Sequence, residues 1–194
     1  MEILSLADSI KCIKDIVINL NDKVVLVGVA GGSASGKTYL AKKLCNELKG
    51  SCLSMDDYYF GRENVKDDNF DKPEAFDFGL FRSHLLLLKQ GKVIQKPVYD
   101  FKGVRTGYVD YKPSKYIIVE GLFALNSLIR DLLSLKIFVD SDSKSRLKRR
   151  IERDVKERGK TEERVILRWN RYVEPMFKEY VEPQKKYADV VVLN

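Results

Sequence analysis

The sequence predicts an α/β fold: a five-stranded parallel sheet flanked by helices. Short apolar runs, each long enough for one buried strand, recur along the chain and alternate with stretches that have the apolar spacing of amphipathic helices. The glycine-rich segment GGSASGKT, residues 31–38, joins the first apolar run directly to a helix-like stretch. This alternation favours a parallel sheet, because parallel neighbours need a helix-length crossover between them.

The predicted elements begin with a helix and then alternate. Apolar residues at helical spacing from Ile3 to Val17 predict an opening amphipathic helix that ends near Asn19–Asp22. A second helix is predicted at Lys37–Leu48, where the apolar residues form one stripe. Strands are predicted at the short apolar runs Val24–Val29, Cys52–Met55, Tyr116–Val119, Lys136–Val139 and Asp189–Leu193.

The pattern changes at about residues 92–112. Two segments that favour β structure, VIQKPVYDF and YVDYKP, flank the turn-forming KGVRTG. The sequence therefore predicts a β-hairpin that projects from the sheet.

Composition limits the function classes. The 194 residues, 44% of them hydrophobic, predict one domain over 1–194. The net charge of +7 suits a partner rich in phosphate, and the absence of any apolar run near the roughly 18 residues of a membrane span predicts no membrane partner. Cys12, Cys45 and Cys52 are odd in number and widely spaced, so neither a disulfide nor a zinc site is predicted and a reduced, cytoplasmic setting is expected.

Residues 31–38 match the pattern G-x-x-x-x-G-K-[ST] between a predicted strand and a predicted helix. Small residues let backbone N–H groups converge on phosphate oxygens at the positive end of the helix. Lys37 is expected to reach the outer phosphates, and the Thr38 hydroxyl to bind Mg²⁺. The sequence therefore predicts an α/β fold of the P-loop NTPase type, with a nucleotide-phosphate site made by Gly31, Gly32, Ser33, Ala34, Ser35, Gly36, Lys37 and Thr38.

Carboxylates follow two of the predicted strands. Asp56 and Asp57 come directly after Cys52–Met55, where a carboxylate beside the phosphate loop can orient or deprotonate an acceptor hydroxyl. The alternative is that the two acids only cap the next helix. Glu120 ends another strand and is expected to hold a magnesium-bound water opposite Thr38, because the carboxyl ends of parallel strands meet at one edge of a sheet.

The densest positive region is KSRLKRRIERDVKERGK, residues 144–160. Arg146, Arg150 and Arg153 share one helical face, and Gly159 then breaks the pattern. We interpret residues 141–160 as a hinged, arginine-rich lid that closes over a phosphoryl group in transfer, since guanidinium groups stabilise its developing charge. The alternative is an ordinary solvated helix.

Several segments together resemble the uridine–cytidine kinases, within the larger group that includes phosphoribulokinase. The resemblance spans nearly the whole chain, through GVAGGSASGKT, MDDYY, NFDKPEAFD, PVYDF, VEG, FVDSDSKSRLKRRIERDVKERGK and KKYADVVV. It implies a cytoplasmic, homo-oligomeric kinase that uses ATP and Mg²⁺ to phosphorylate the 5′-hydroxyl of a ribonucleoside, uridine or cytidine.

The resemblance also implies roles for single residues. Asp56 would be the catalytic base, and Asp71 would accept hydrogen bonds from the ribose hydroxyls, as a carboxylate can from a vicinal diol. Tyr59 and Tyr99 would line the base pocket. The substrate and lid contacts would be Arg150, Arg153 and Arg158, followed by Lys160, where the lid often ends in a second arginine, and Arg168, at a position in the substrate wall that is commonly glutamine.

The chain departs from the family pattern in the hairpin. The histidine that usually follows PVYDF and contacts the pyrimidine is replaced by the stretch Lys102, Gly103, Val104 and Arg105. The one histidine, His84, lies in LFRSHLLLLK and is expected to be a surface or packing residue on a helix rather than a metal ligand. The chain also reaches Asn194 without the closing segment that the family usually carries.

Three other functions remain open. The substrate could be another ribosyl alcohol, such as nicotinamide riboside or a sugar phosphate. A GTP-binding switch is suggested by the D-x-x-G match at residues 100–103, although the chain contains no N-K-x-D. Nucleic-acid binding by the basic lid is disfavoured, because Glu152, Asp154 and Glu157 interleave the positive charge and no aromatic platform accompanies it, so no nucleic-acid partner is expected.

Overall fold

The structure is a computed structural model that describes residues 2–100 and 103–194. Within these ranges, six parallel strands form one sheet. The strands are β1 (Glu2–Ser5), β2 (Val25–Gly31), β3 (Ser51–Ser54), β6 (Tyr116–Glu120), β7 (Leu135–Asp140) and β8 (Val190–Leu193). Their order across the sheet is β1-β8-β7-β2-β6-β3. The predicted α/β class and parallel sheet are confirmed, and β2, which leads into the glycine-rich loop, lies inside the sheet between β7 and β6.

The prediction of five strands is one too few, because the opening helix starts later than expected. Residues 2–5 form β1, which pairs in parallel with β8 from Glu2–Val190 to Ser5–Leu193. Helix α1 (Leu6–Ile18) begins after Ser5, whose side chain accepts a hydrogen bond from the Asp8 backbone N–H at 3.3 Å. Helical spacing around Ile3 is a local signal, whereas the β8 edge that recruits this segment is far away in sequence.

The other helices flank the sheet or follow it. They are α2 (Lys37–Leu48), as predicted, α3 (Phe78–Lys89), α4 (Ser143–Arg158) and α5 (Glu162–Arg168). A helical segment continues from α5 through π-helical turns at Trp169–Val173 and Phe177–Val181, with α6 (Glu174–Met176) between them, to a 3₁₀ turn at Glu182–Tyr187. Wider π turns precede Pro175 and Pro183, since a proline inside a helix clashes with the carbonyl one turn earlier.

Both faces of the sheet are covered. In β2 all seven residues are buried. Val25, Val27 and Val29 pack into one apolar cluster with α1 and α2, whereas Leu26 and Ala30 pack into a second cluster on the opposite face. Burial on two faces explains why this strand reads as a continuous apolar run rather than as an alternating one. Among the described residues, no helix is both long and apolar enough to cross a membrane.

Residues 92–112, where the sequence predicts a hairpin, contain β4 (Ile94–Asp100) and β5 (Val104–Tyr111). The two strands pair antiparallel in a separate two-stranded sheet, from Ile94–Tyr111 to Asp100–Val104. The register shifts between Val98 and Tyr99. Phe101 and Lys102 lie outside the described residues.

Cys45 and Cys52 form a disulfide, which corrects the prediction of none. Helix α2 ends at Leu48. The next residue, Lys49, caps the helix with a left-handed backbone of φ +49°, and the chain then returns into β3. This tight return brings the two cysteines, seven residues apart, to a Cα–Cα distance of 6.2 Å. Cys12 is a free thiol. The number and spacing of cysteines did not reveal the pair, because the return from α2 into β3 is what brings these two side chains together.

Candidate active site

The glycine-rich loop connects β2 to α2 at the carboxyl end of the sheet. Gly36, before the first residue of α2, has φ +100°, a conformation that favours glycine. A side chain at Gly32 would place its Cβ 2.8 Å from the Arg146 Nη1 atom. Lys37 folds back over the loop, with its Nζ 3.5 Å from the Gly32 carbonyl oxygen. The backbone therefore forms the open cradle that a phosphate chain requires.

The order of the strands brings the predicted carboxylates to this loop. Strand β6 neighbours β2, and β3 neighbours β6, so residues that end the three strands lie side by side. Thr38 Oγ1 donates a hydrogen bond to Glu120 Oε2 at 3.1 Å. Ser54 Oγ donates to Glu120 Oε1 at 2.8 Å and accepts from the Asp56 backbone N–H at 3.3 Å. A continuous hydrogen-bond chain thus runs from the loop to Asp56.

Ser54 is a residue of this site that sequence reasoning missed. It holds the Glu120 carboxylate and fixes the first turn of the segment that carries Asp56. The available signal was its position at the end of β3, where ligand-facing residues collect in parallel sheets.

Thr38 and Glu120 fit a magnesium ion. Both offer oxygen ligands, which hard divalent cations prefer, and Glu120 is only 7% exposed. In the described ranges, no cluster of three or more histidine, cysteine or acidic side chains could hold a metal. Two protein oxygens suit Mg²⁺, because this ion keeps several waters and takes further ligands from substrate phosphates.

Charge and burial separate the two adjacent acids. Burial and the nearby Glu120 carboxylate raise the pKa of Asp56 to about 6, against the opposing effect of Lys37. Asp57, by contrast, forms an ion pair with Lys96 of β4. Burial also lowers the pKa of Lys37, although Glu120 and Asp56 act in the other direction. The raised pKa makes Asp56 a candidate for proton transfer, whereas Asp57 connects its turn to the hairpin.

One cavity of about 770 Å³ contains most of the predicted site. Besides the phosphate loop, represented by Ser33, Lys37 and Thr38, the predicted residues that line it are Asp56, Tyr59, Asp71, Tyr99, Glu120, Arg150, Arg153, Arg158, Lys160 and Arg168. The cavity is also lined by residues that were not predicted from the sequence to be site residues: Lys42, Ser54, Asp57, Arg62, Asp68, Phe70, Gly103, Leu122, Glu157 and Arg164. The structure thus brings together acids and bases that are more than 100 residues apart in sequence, such as Asp56 and Arg168.

The cavity has an aromatic wall. The Tyr59 ring lies 5.6 Å from that of Phe70 and 5.9 Å from that of Tyr99, measured between centroids. Asp71 is buried near this wall, and its backbone N–H donates to Asn69 Oδ1 at 3.2 Å. Burial raises the pKa of Asp71, while Arg150 and Arg168 act to lower it. A flat, apolar ring and a hydroxyl-rich group could therefore both be accommodated here.

Arg168 lines the cavity but is held by the segment across it. Its Nη1 lies 3.1 Å from Asp68 Oδ2, and its Nη2 donates to the Asp68 carbonyl oxygen at 2.8 Å. Arg62 binds the same carboxylate through two hydrogen bonds, each 2.8 Å long. Arg62 and Asp68 were not predicted, since nothing in the sequence near them indicates this contact.

The sequence matches a known protein family over most of its length. The model of the Phosphoribulokinase / Uridine kinase family matches residues 26–194. The chain belongs to this family. Two similar relatives are bacterial uridine kinases. That of Brevibacillus brevis (strain 47 / JCM 6285 / NBRC 100599) is 41% identical over 87% of this chain and 84% of its own length. That of Macrococcus caseolyticus (strain JCSC5402) is 41% identical, with 88% of each chain covered.

Solved structures with low sequence identity share the fold. A possible uridine kinase from Bacillus stearothermophilus superimposes with a TM-score of 0.70 at 20% identity, covering 96% of this chain and 98% of that one. YFH7 from Saccharomyces cerevisiae superimposes with a TM-score of 0.69 at 14% identity, with coverage of 96% and 98%.

Arg105 lies in the hairpin stretch where the family resemblance implies a histidine, and its side chain has a structural role. Its guanidinium donates to the carbonyl oxygens of Tyr59 at 2.9 Å and Tyr58 at 3.1 Å, and it lies 3.1 Å from Asp77 Oδ2. Arg105 thereby ties the hairpin to the turn that follows Asp56, and it does not line the cavity. Lys102, and with it the middle of the D-x-x-G match, lies outside the described residues.

His84 packs as predicted. It is buried on α3, and its Nδ1 lies 2.9 Å from the Tyr58 hydroxyl. Burial lowers the pKa of His84, so the neutral ring is favoured. Its role is to hold the turn after Asp56 against α3.

One arginine expected on the lid face lies elsewhere. Arg146 is buried, with its guanidinium 3.8 Å from the Phe177 ring centroid and 2.8 Å from Glu174 Oε2, and it does not line the cavity. It anchors α4 to the helical segment that follows. Arg150, one turn later, instead donates from Nη1 to Ser33 Oγ in the phosphate loop at 2.7 Å. Of the shared face predicted for α4, only Arg150 and Arg153 line the cavity.

Proposed function

We propose that this protein transfers the terminal phosphoryl group of ATP to the 5′-hydroxyl of a ribonucleoside, with uridine and cytidine as the preferred acceptors. The observation that carries the proposal is that Asp56, Lys37 and Asp71 line one cavity of about 770 Å³. That volume is of the size found for small-molecule sites, which run to roughly 300–1,000 Å³. The uridine kinases that are 41% identical over most of the chain support the choice of acceptor.

In this proposal one end of the cavity binds the triphosphate of ATP and the other binds the nucleoside. The loop amides and Lys37 bind the triphosphate, and Asp56 accepts the proton of the attacking hydroxyl. Thr38 and Glu120 hold magnesium, which when bound neutralises part of the phosphate charge. Asp71 binds the ribose hydroxyls beside the aromatic wall of Tyr59 and Tyr99.

A coupled assay of ADP release tests the acceptor class. The purified protein is given ATP, Mg²⁺ and a panel of nucleosides that includes uridine, cytidine, adenosine and nicotinamide riboside, together with a sugar phosphate. We expect turnover with the pyrimidine ribonucleosides, and weaker or no turnover with the others. Tight ATP binding without turnover of any nucleoside rejects the class, and a preference for GTP as donor rejects the choice of ATP.

Replacing Asp71 with Asn is expected to raise KM for the nucleoside with little change in KM for ATP. A carboxylate that accepts from two ribose hydroxyls contributes about 1.5–3 kcal/mol, or about 10–100-fold in affinity. The same change is expected to narrow the difference between uridine and 2′-deoxyuridine, measured as the ratio of their kcat/KM values. If KM for ATP rises instead, Asp71 faces the donor and its assignment to ribose is wrong.

Replacing Glu120 with Gln is expected to raise the Mg²⁺ concentration that supports half-maximal activity by about 10–100-fold. The amide keeps the shape of the side chain, and its oxygen can still accept the hydrogen bond from Ser54 Oγ, but it loses the negative charge that attracts the ion. A magnesium titration of the initial rate measures the shift. The matched control is Glu47→Gln, on the exposed end of α2, where Glu47 pairs with Lys14 and no change is expected.

A further inference from the structure

A buried carboxylate lies behind the cationic wall of the cavity. Asp154, in α4, has a side chain only 1% exposed, and it does not itself line the cavity. Four cationic side chains that do line the cavity contact it. We call them the Asp154 cluster: Arg150, Arg153, Arg158 and Lys160.

The four cations divide between the two carboxylate oxygens of Asp154, two on each. Arg153 donates to Oδ1 from Nε at 2.9 Å and from Nη2 at 2.8 Å, and Arg158 Nη1 lies 3.3 Å from the same oxygen. Lys160 Nζ lies 3.1 Å from Oδ2, and Arg150 Nε lies 3.7 Å from it. The two oxygens together therefore set the relative positions of the four cations.

The backbone of Asp154 contributes as well. Its carbonyl oxygen accepts a hydrogen bond from the Lys160 N–H at 3.1 Å, which closes the turn through Gly159. Gly159 has φ +60°, a left-handed conformation that ends helices and favours glycine. Asp154 therefore holds the cationic side chains through its carboxylate, and it holds the turn that returns Lys160 toward them through its backbone carbonyl.

Electrostatics explain why a carboxylate is needed at this position. Burial acts to raise the pKa of Asp154, but Arg153 and Arg158 outweigh it and the pKa lies below its usual value. Asp154 is therefore ionised at neutral pH and reduces the repulsion among the cations. Since the cations outnumber it, the cluster keeps a net positive charge facing the cavity.

We propose that Asp154 is a positioning residue for the phosphoryl transfer: it holds the Asp154 cluster in a fixed array, so that the array faces the developing charge before substrates arrive. The inference rests on the proposed function. Preorganised charges stabilise a transition state more than mobile ones, because no reorganisation is needed at the moment of reaction.

The test compares two variants at the site with one control. Asp154→Asn keeps the size of the side chain and removes its charge, and Asp154→Glu restores the charge at a slightly different reach. The control Glu152→Gln makes the matching change on an exposed position of α4. Initial rates give kcat and both KM values, calorimetry gives the affinity for a non-hydrolysable ATP analogue, and circular dichroism gives Tm.

We expect Asp154→Asn to lower kcat by about 10²–10³-fold, the scale for losing one preorganised stabilising group, with KM for the nucleoside changed less than about threefold. Affinity for the ATP analogue is expected to fall about tenfold, as for a weakened charge-assisted contact. Asp154→Glu is expected to recover part of kcat. Glu152→Gln is expected to match the wild type in every measurement.

Two outcomes overturn the inference. If the wild type turns over nucleosides and Asp154→Asn keeps its kcat and its affinity for the analogue, Asp154 positions nothing. If the Asn and Glu variants both show a lower kcat, a higher KM and a lower Tm, each changed to the same extent in the two variants, the role of Asp154 is only structural. If the wild type phosphorylates no nucleoside, the proposed function fails instead, and the analogue affinity alone decides whether Asp154 orders the cations.

Discussion

Replacing Asp56 with Asn is expected to lower kcat by about 10²–10⁴-fold, the range for loss of a general base. An amide cannot take the hydroxyl proton, whereas the loop and Lys37 that hold the phosphates are unchanged. ATP affinity is therefore expected to stay within about twofold of the wild type, since the proposed phosphate contacts are made by the loop and Lys37 rather than by Asp56. Single-turnover kinetics and calorimetry with a non-hydrolysable ATP analogue measure the two quantities.

Asp57→Asn is the matched control, because the two acids are adjacent and Asp57 is paired with Lys96 rather than poised for proton transfer. We expect it to lower kcat far less than Asp56→Asn does. Equal losses in the two variants would mean that the turn itself, and not the Asp56 carboxylate, matters. A large loss of ATP affinity in Asp56→Asn would place this acid in the donor site.

The same substitution is expected to stabilise the fold at neutral pH. Burial and Glu120 raise the pKa of Asp56 to about 6, so the folded protein binds a proton more readily than the unfolded chain does. Stability contributed by this group is present at acid pH and is lost as pH rises through about 6. We therefore expect Asp56→Asn to have a higher Tm than the wild type at pH 8, with the difference shrinking toward pH 4.

The second large effect is expected at Lys37. Lys37→Met removes the cation that lies over the phosphate loop while keeping an unbranched side chain. The charge is needed most as negative charge shifts in the transition state, so we expect kcat to fall by about 10²–10³-fold. ATP affinity is also expected to fall, because in the proposed complex Lys37 contacts the phosphates in the ground state as well. Initial rates at saturating ATP separate the two effects.

Lys43→Met is the control for Lys37→Met. Lys43 is exposed on the same helix, where its Nζ lies 5.6 Å from the centroid of the Tyr39 ring. The substitution changes the net charge of the protein equally, so a shared effect would indicate general electrostatics and not a role of the loop lysine. Retention of kcat in Lys37→Met would contradict the assignment of the phosphate loop.

The phosphate site could be predicted almost completely from the sequence, because its residues are consecutive. The pattern from Gly31 to Thr38 encodes a loop whose geometry depends on glycine and whose ligands are mostly backbone N–H groups. The two carboxylates, Asp56 and Glu120, could be placed from strand ends alone, since parallel strands deliver their carboxyl ends to one edge. Apolar runs located β2 for the same reason: burial on both faces leaves a continuous signal.

Interactions between distant segments could not be predicted in this way. Ile3 lies at helical spacing, yet it joins a strand because the edge of β8 was available to pair with it. Arg146 and Arg150 are one helical turn apart and look equivalent in the sequence. The structure sends one of them to Glu174 and Phe177 and the other to Ser33.

By itself, the sequence determined the α/β class, the phosphate loop and the acids that follow the strands, because local spacing and burial carry that information. The tertiary structure decided the sixth strand, the disulfide of Cys45 with Cys52, and the gathering of cations around Asp154. Each of these depends on which surfaces meet after the chain folds. A charged residue reads the same in the sequence whether it is solvated or buried among partners, and only packing distinguishes the two.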